Sequence, residues 1–250
     1  MSRWLPETIE LHLGDGASAG APRGVDLLTD FERQLVAHAP RKSTRLRCVI
    51  GGEAVRYAVV PWIDELSTPA QRQRLAEQTY FETYGEVARG WTVCQQRAAY
   101  GAASLACAIE TPLLDGLEAA ARARGLVLVS VQPALMHAFN HVRHSLARGL
   151  FWFVLVERRA VTLLLMAPGV PIQVKRLPLP AAGLAGLLDR EWFALGLEGE
   201  RCPVFVARSA TAALAGVAVD RPPDFTAHWS ITSLPLAPRV RAAQPEGTAA

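Results

Sequence analysis

Apolar runs of two kinds, alternating and continuous, are separated along the chain by glycine and proline and set out a recurring order of strands and helices. Residues 8–14 alternate, with Ile9, Leu11 and Leu13 on one face, and predict a strand that runs into a Gly/Ala-rich loop at 15–22. Residues 46–50 and 55–60 flank Gly51-Gly52 and are expected to pair as a hairpin. Ser67-Thr68-Pro69 supplies an N-cap and a first-turn proline for a helix that stops near Gly85. A hairpin is expected over 91–109, turning at residues 99–101. Thr111-Pro112 opens a second helix, with Leu113, Leu117, Ala120 and Ala121 on one side, which ends at Gly125. Residues 126–131 are continuously apolar, the pattern of a strand at a sheet centre covered on both faces. A third helix starts at Pro133, carries the stripe Leu135, Phe139, Val142 and Leu146, and ends at Gly149.

The second part follows the same plan. Residues 151–156, 160–166 and 170–177 read as three consecutive strands, joined through Glu157-Arg158-Arg159 and Ala167-Pro168-Gly169. Leu184, Leu188, Trp192 and Leu195 mark a helix, 203–207 a strand, and Ser209 the cap of a short helix ending at Gly216. Each half thus reads as antiparallel strands, helix, buried strand and helix. The pattern predicts a duplicated two-lobed α/β fold: a first lobe over 1–149 with an inserted hairpin at 91–109, a smaller second lobe over 150–235, and a disordered tail at 236–250. The stiffest core is expected at 151–156.

Composition narrows the function. A net charge of +3 on 250 residues lacks the concentrated basic excess of a phosphate-binding surface, which argues against nucleic acid as a partner. Only Lys42 and Lys175 are lysines. The arginine bias suits bidentate carboxylate contacts, although GC-rich codon usage is its plainer source. No signal-peptide core and no membrane-length apolar run is seen, so a cytoplasmic protein is expected. Cys48, Cys94, Cys107 and Cys202 form no Cys-x-x-Cys pair and read as small hydrophobes, with Cys94 and Cys107 nearly opposite in the 91–109 hairpin.

Candidate chemistry is sparse. His137, His141 and His144 stand at i, i+4 and i+7, a spacing that brings imidazoles together on a helix, but opposite the apolar stripe and without a carboxylate between Glu118 and Glu157 to orient them. They read as a solvated face, and no metal site is expected. Gly14-Asp15-Gly16 follows the first strand, where close backbone approach to a phosphate needs glycine. The matching turn of the second half is Glu157-Arg158-Arg159, poorly suited to phosphate. Walker, Rossmann, Gly-x-Ser-x-Gly and His-Glu-x-x-His patterns are absent. The paired acids Asp64-Glu65 and Asp189 with Glu191 fall at helix ends, where carboxylates are solvated or cap. No catalytic residue is expected. Tyr80, Phe81, Tyr84 and Trp91 exceed the needs of one helix face, and either line a partner groove or pack on the hairpin.

The segment Arg56-Tyr57-Ala58-Val59-Val60-Pro61-Trp62 resembles a strand of the actin-like (ribonuclease H-like) assembly proteins of bacterial type IV pili and type II secretion, the PilM-like and GspL-like proteins. Residues 100–109 and 125–133 are similar to the same family's continuation, and the likeness extends over roughly residues 5–235. It implies a degenerate actin-like fold and a non-catalytic scaffold beside the inner membrane. That scaffold would bind the cytoplasmic tail of a membrane partner and work with an assembly ATPase. The rival expectation is an actin-like or sugar-kinase-like phosphotransferase that holds ATP through Gly14, Asp15 and Gly16.

Overall fold

In the computed structural model, residues 8–14, 23–66, 68–179, 183–197, 201–210, 212 and 229–234 are described. The first sheet is wholly parallel, in the order β1 (Thr8–Leu13), β2 (Arg45–Ile50), β6 (Val127–Pro133). Helix α1 (Arg23–His38) connects β1 to β2, and its Leu27, Phe31 and Leu35 recur every four residues and are buried. With α3 (Thr111–Ala123) it covers the face that carries Leu11, Leu13, Leu46, Cys48 and Ile50.

Two expectations fail here. The segments at 46–50 and 55–60 do not form a hairpin. The Gly51 N–H donates to the Leu13 carbonyl at 2.8 Å, and a 3₁₀ turn at Gly52–Ala54 carries the chain into β3 (Val55–Val60) of a different sheet. A diglycine link reads as a hairpin only if both strands seek each other, whereas β2 buries its apolar residues under α1 and α3 beside parallel partners. Strand β6 lies at the edge of its sheet rather than the centre, and Val127 is exposed. An apolar run does not disclose how many neighbours a strand has.

The second sheet is antiparallel, β3–β5–β4, with β4 (Trp91–Gln95) and β5 (Ser104–Glu110) forming the expected hairpin. Cys94 faces Cys107 and both are thiols. Helix α2 (Pro69–Tyr84) packs on this sheet. Its Thr68 cap makes a reciprocal box with Gln71, and Gly85 ends it at φ +68°.

The third sheet has the order β11–β10–β7–β8–β9. Its β7 (Phe151–Val156), β8 (Ala160–Ala167) and β9 (Val170–Pro178) form the expected antiparallel meander. On the other side β10 (Val204–Arg208) and β11 (Ile231–Leu234) join in parallel. The β7 strand is buried throughout, as its sequence suggests. Trp152, Val154 and Val156 face α5 (Leu184–Ala194), while Phe151, Phe153 and Leu155 face α4 (Ala134–Val142). The same α4 core takes in Val49 of β2 and Leu105 of β5, so this helix is wedged between the two lobes. It is shorter than the apolar stripe predicts: a 3₁₀ turn at Arg143–Ser145 follows, leaving Leu146 beyond it. The Ser209 hydroxyl accepts from the Ala212 N–H at 3.1 Å, as a cap does. The loop at 15–22, Ser67, the helix end at Gly216 and the tail at 236–250 lie outside the described residues. No helix among the described residues is long and apolar enough to cross a membrane.

Candidate functional site

Strands β1 and β7 lead the two lobes, and their C-terminal turns meet at the junction. Gly14 ends β1 with φ +116°, a backbone conformation that L side chains rarely adopt. Asp15 and Gly16 lie outside the described residues. A Cβ on Gly14 would collide with the Glu53 carboxylate, so the glycine here makes room for an internal acid. At the end of β7, Glu157 is only 1% exposed. Its Oε1 accepts from the Gly52 N–H at 2.6 Å, and its Oε2 accepts from Arg176 Nε of β9 at 3.1 Å. The same arginine lies 3.9 Å from Glu53. A Cβ on Gly52 would fall 2.6 Å from the Glu157 carboxylate and 2.7 Å from Arg176 Nε, so a side chain there would have to displace the ion pair that crosses between the lobes.

Gly14 and Gly52 of the first lobe and Glu157 of the second thus lie around two carboxylates and one arginine. The turn Glu157-Arg158-Arg159 joins strands as expected, yet Glu157 points inward rather than into solvent. Burial first, and then the Glu157 carboxylate, pushes the nearby Tyr57 phenol well above its ordinary range.

Beside this cluster, the outer face of β1 presents Glu10 and His12, with Leu11 and Leu13 pointing the other way into the core. Helix α4 lays His137 against them. Glu10 Oε1 is 3.2 Å from His12 Nε2 and 3.5 Å from His137 Nε2, and the two imidazoles meet edge to face at 5.5 Å. This corrects the reading of the histidine face. His141 and His144 are exposed, but His137 is half-buried and has a carboxylate, which arrives from β1 rather than from nearby sequence. Burial holds the His137 imidazole below its ordinary 6.5; Glu10 opposes that shift, and His12 and His141 add to it. Val49, Leu155 and Ser209 complete a pocket of about 40 Å³ around the three polar groups, room for a single water or ion.

Two further features were only partly legible. Glu191 is not a solvated helix-end acid: it is buried and bonded to Lys175 at 2.6 Å. Asp189 accepts from the Trp229 indole at 3.0 Å, and Asp64 from the Trp62 indole at 2.7 Å. The aromatic cluster has a buried part and a part that faces a groove. Tyr80 is buried, with its hydroxyl donating to the Arg56 carbonyl at 3.0 Å, whereas Phe81 and Trp91 line an open groove of about 570 Å³ with Arg74, Arg89 and Val93. The Arg89 guanidinium stacks 5.1 Å from the Phe81 ring.

Neither a protein-family model nor a curated relative matches the sequence. Solved structures do match its shape. A chain of the PilM–PilN type IV pilus biogenesis complex is 17% identical over 89% of this chain and 77% of its own, with a TM-score of 0.57. The cytoplasmic domain of EpsL, an inner-membrane component of the Vibrio cholerae type II secretion system, is 11% identical over 91% of this chain and 89% of its own, with a TM-score of 0.55. A Bacteroides thetaiotaomicron protein with an actin-like ATPase fold is 10% identical over 83% of this chain and 84% of its own, with a TM-score of 0.53. The chain has the actin-like fold, in a form similar to those of the PilM–PilN complex and the EpsL cytoplasmic domain.

Proposed function

We propose that this protein is a non-catalytic scaffold on the cytoplasmic side of the inner membrane, in a type IV pilus or type II secretion assembly. In this reading it binds the cytoplasmic tail of a membrane partner, beside an assembly ATPase. The observation that carries the reading is the junction of the lobes. In an actin-like fold similar to those of two secretion or pilus components, the Glu53 carboxylate packs on Gly14, the described residue of the candidate phosphate loop, and the Glu157 carboxylate packs on the neighbouring Gly52. Two carboxylates repel a polyphosphate, and the Arg176 guanidinium beside them already serves both.

The groove on α2 and β4 supports the other half of the reading. It is lined by Phe81, Trp91 and Val93 together with Arg74, Glu77 and Arg89, and Trp and Arg are residue types enriched at binding hot spots. The test is calorimetry with two ligands. Millimolar Mg-ATP should give no heat, whereas saturable binding with turnover would replace the scaffold reading with the phosphotransferase one. The cytoplasmic tail of the inner-membrane protein encoded beside this chain should bind. The double variant Arg74→Glu, Arg89→Glu should weaken that binding about tenfold or more. Failure of the tail to bind the wild-type protein would remove the tail-binding role.

A further inference from the structure

We propose that Glu10, His12 and His137 form a binding site for one divalent transition-metal ion of the zinc class, with its remaining position open to water in the pocket between β1, α4 and Ser209. The site is independent of the scaffold reading and takes only His137 from the histidine run that the sequence displays, its other two ligands coming from β1.

The donor set is two imidazole nitrogens and one carboxylate oxygen, which suits zinc, cobalt or nickel rather than magnesium or calcium. Ligands about 2.0–2.2 Å from a tetrahedral ion stand roughly 3.3–3.5 Å from one another. Two of the three edges are already close to that length, at 3.2 and 3.5 Å, and all three donor atoms lie within 4.8 Å of each other. The His12–His137 edge lies within the same 4.8 Å, a span that a side-chain adjustment of the two rings can close.

The backbone fixes the rest. Glu10 and His12 share a face because strand side chains alternate, and they flank Leu11, which is anchored in the core at 1% exposure. His137 is held on α4 between the buried Ala134 and Ala138. The ligands thus come from two elements already locked by packing, the arrangement that a preformed metal site needs. Three protein ligands leave one position open, and the 40 Å³ pocket accommodates one water there. Leu155 and Ser209 of the second lobe form the far wall, so an ion bound to β1 and α4 presents its water to the opposite lobe.

The experiment is a titration of metal-free protein with Zn²⁺ by calorimetry and with Co²⁺ by visible absorption, in a Cys94→Ser background because Cys94 is exposed. One equivalent should bind, with the intense ligand-field bands of a four-coordinate cobalt centre and no thiolate charge-transfer band. His12→Ala and His137→Ala should each weaken binding by more than about 100-fold, and Glu10→Gln by about 10–100-fold. His38→Ala and His144→Ala should leave it unchanged. The conservative His137→Gln, verified as folded by circular dichroism, should lose binding as well, which separates loss of a ligand from loss of structure. The proposal is overturned if the wild-type protein shows no saturable binding, if His137→Gln binds as tightly as wild type, or if a thiolate band places the ion on cysteine.

Discussion

In the second lobe, β7 has a parallel neighbour, β10, on one side and an antiparallel neighbour, β8, on the other; in the first lobe its counterpart β1 pairs with β2 alone among the described residues. The parallel trios β1–β2–β6 and β7–β10–β11 follow one plan, with the middle strand shared by two neighbours. The meander β8–β9 is what the first sheet lacks. The amino acids follow this difference. The sequence of β7, Phe-Trp-Phe-Val-Leu-Val, is apolar on both faces because both are buried, under α4 and under α5. Strand β1 keeps an apolar face toward α1 and α3 but turns Glu10 and His12 toward the pocket under α4. Glu10 and His12 sit on an edge strand whose second face α4 only partly covers.

The turns differ in the same complementary way. The first lobe contributes glycines, Gly14 and Gly52, with nothing to reach out; the second contributes Glu157, which crosses to the Gly52 N–H. A glycine-lined cleft is therefore not evidence of a ligand by itself, because a neighbouring carboxylate can be the group it admits.

Substitutions can break this comparison. The largest effect is expected at β7, which serves two cores at once. Leu155→Asp places a carboxylate in the core between the lobes and should cost more than about 4 kcal/mol, abolishing the cooperative thermal transition and the soluble yield. An unchanged melting temperature would show that the lobes do not share a core there. Next is Glu157→Ala, which deprives the Gly52 N–H of its acceptor and Arg176 of its nearest partner. Arg176 is partly exposed and keeps Glu53 at 3.9 Å, so the expected cost is about 2 kcal/mol, read as a lower urea midpoint at constant slope. A negligible shift would mean that the crossing of the two turns contributes little to joining the lobes. The smallest perturbation is chemical labelling. Burial pushes the Cys48 and Cys107 thiols up to about 12 and that of Cys202 up to about 11, leaving few thiolates at pH 8, whereas Cys94 is exposed. Iodoacetamide at that pH should modify Cys94 first, as mass spectrometry of the digested protein would show. Equal labelling of Cys48 would indicate that the first lobe opens around β2.

Much of the fold was legible because it is written locally. The Thr68 cap, the glycine stop at Gly85, the 91–109 hairpin and the β7–β8–β9 meander depend on residues within a few positions of one another. Helix α1 was legible in principle, since Leu27, Phe31 and Leu35 stand four apart. Strand β11 is only four residues long and has no pattern to separate it from a loop. The candidate sites were less legible. Gly14 was visible as a special backbone position, while Glu53, Arg176 and Glu10 carried no local mark, and His137 was visible with the wrong companions.

The sequence by itself determined most of the strands and helices, caps and stops such as Thr68 and Gly85, and that β7 must be buried on both sides, because capping, turn geometry and side-chain periodicity are short-range properties. Only the tertiary structure decided that β2 and β3 part company at Gly51-Gly52, that Glu157 fills the junction and that Glu10 and His12 meet His137. Those outcomes depend on which strands become neighbours, and the energy that selects neighbours comes from burial summed over residues distant in the chain.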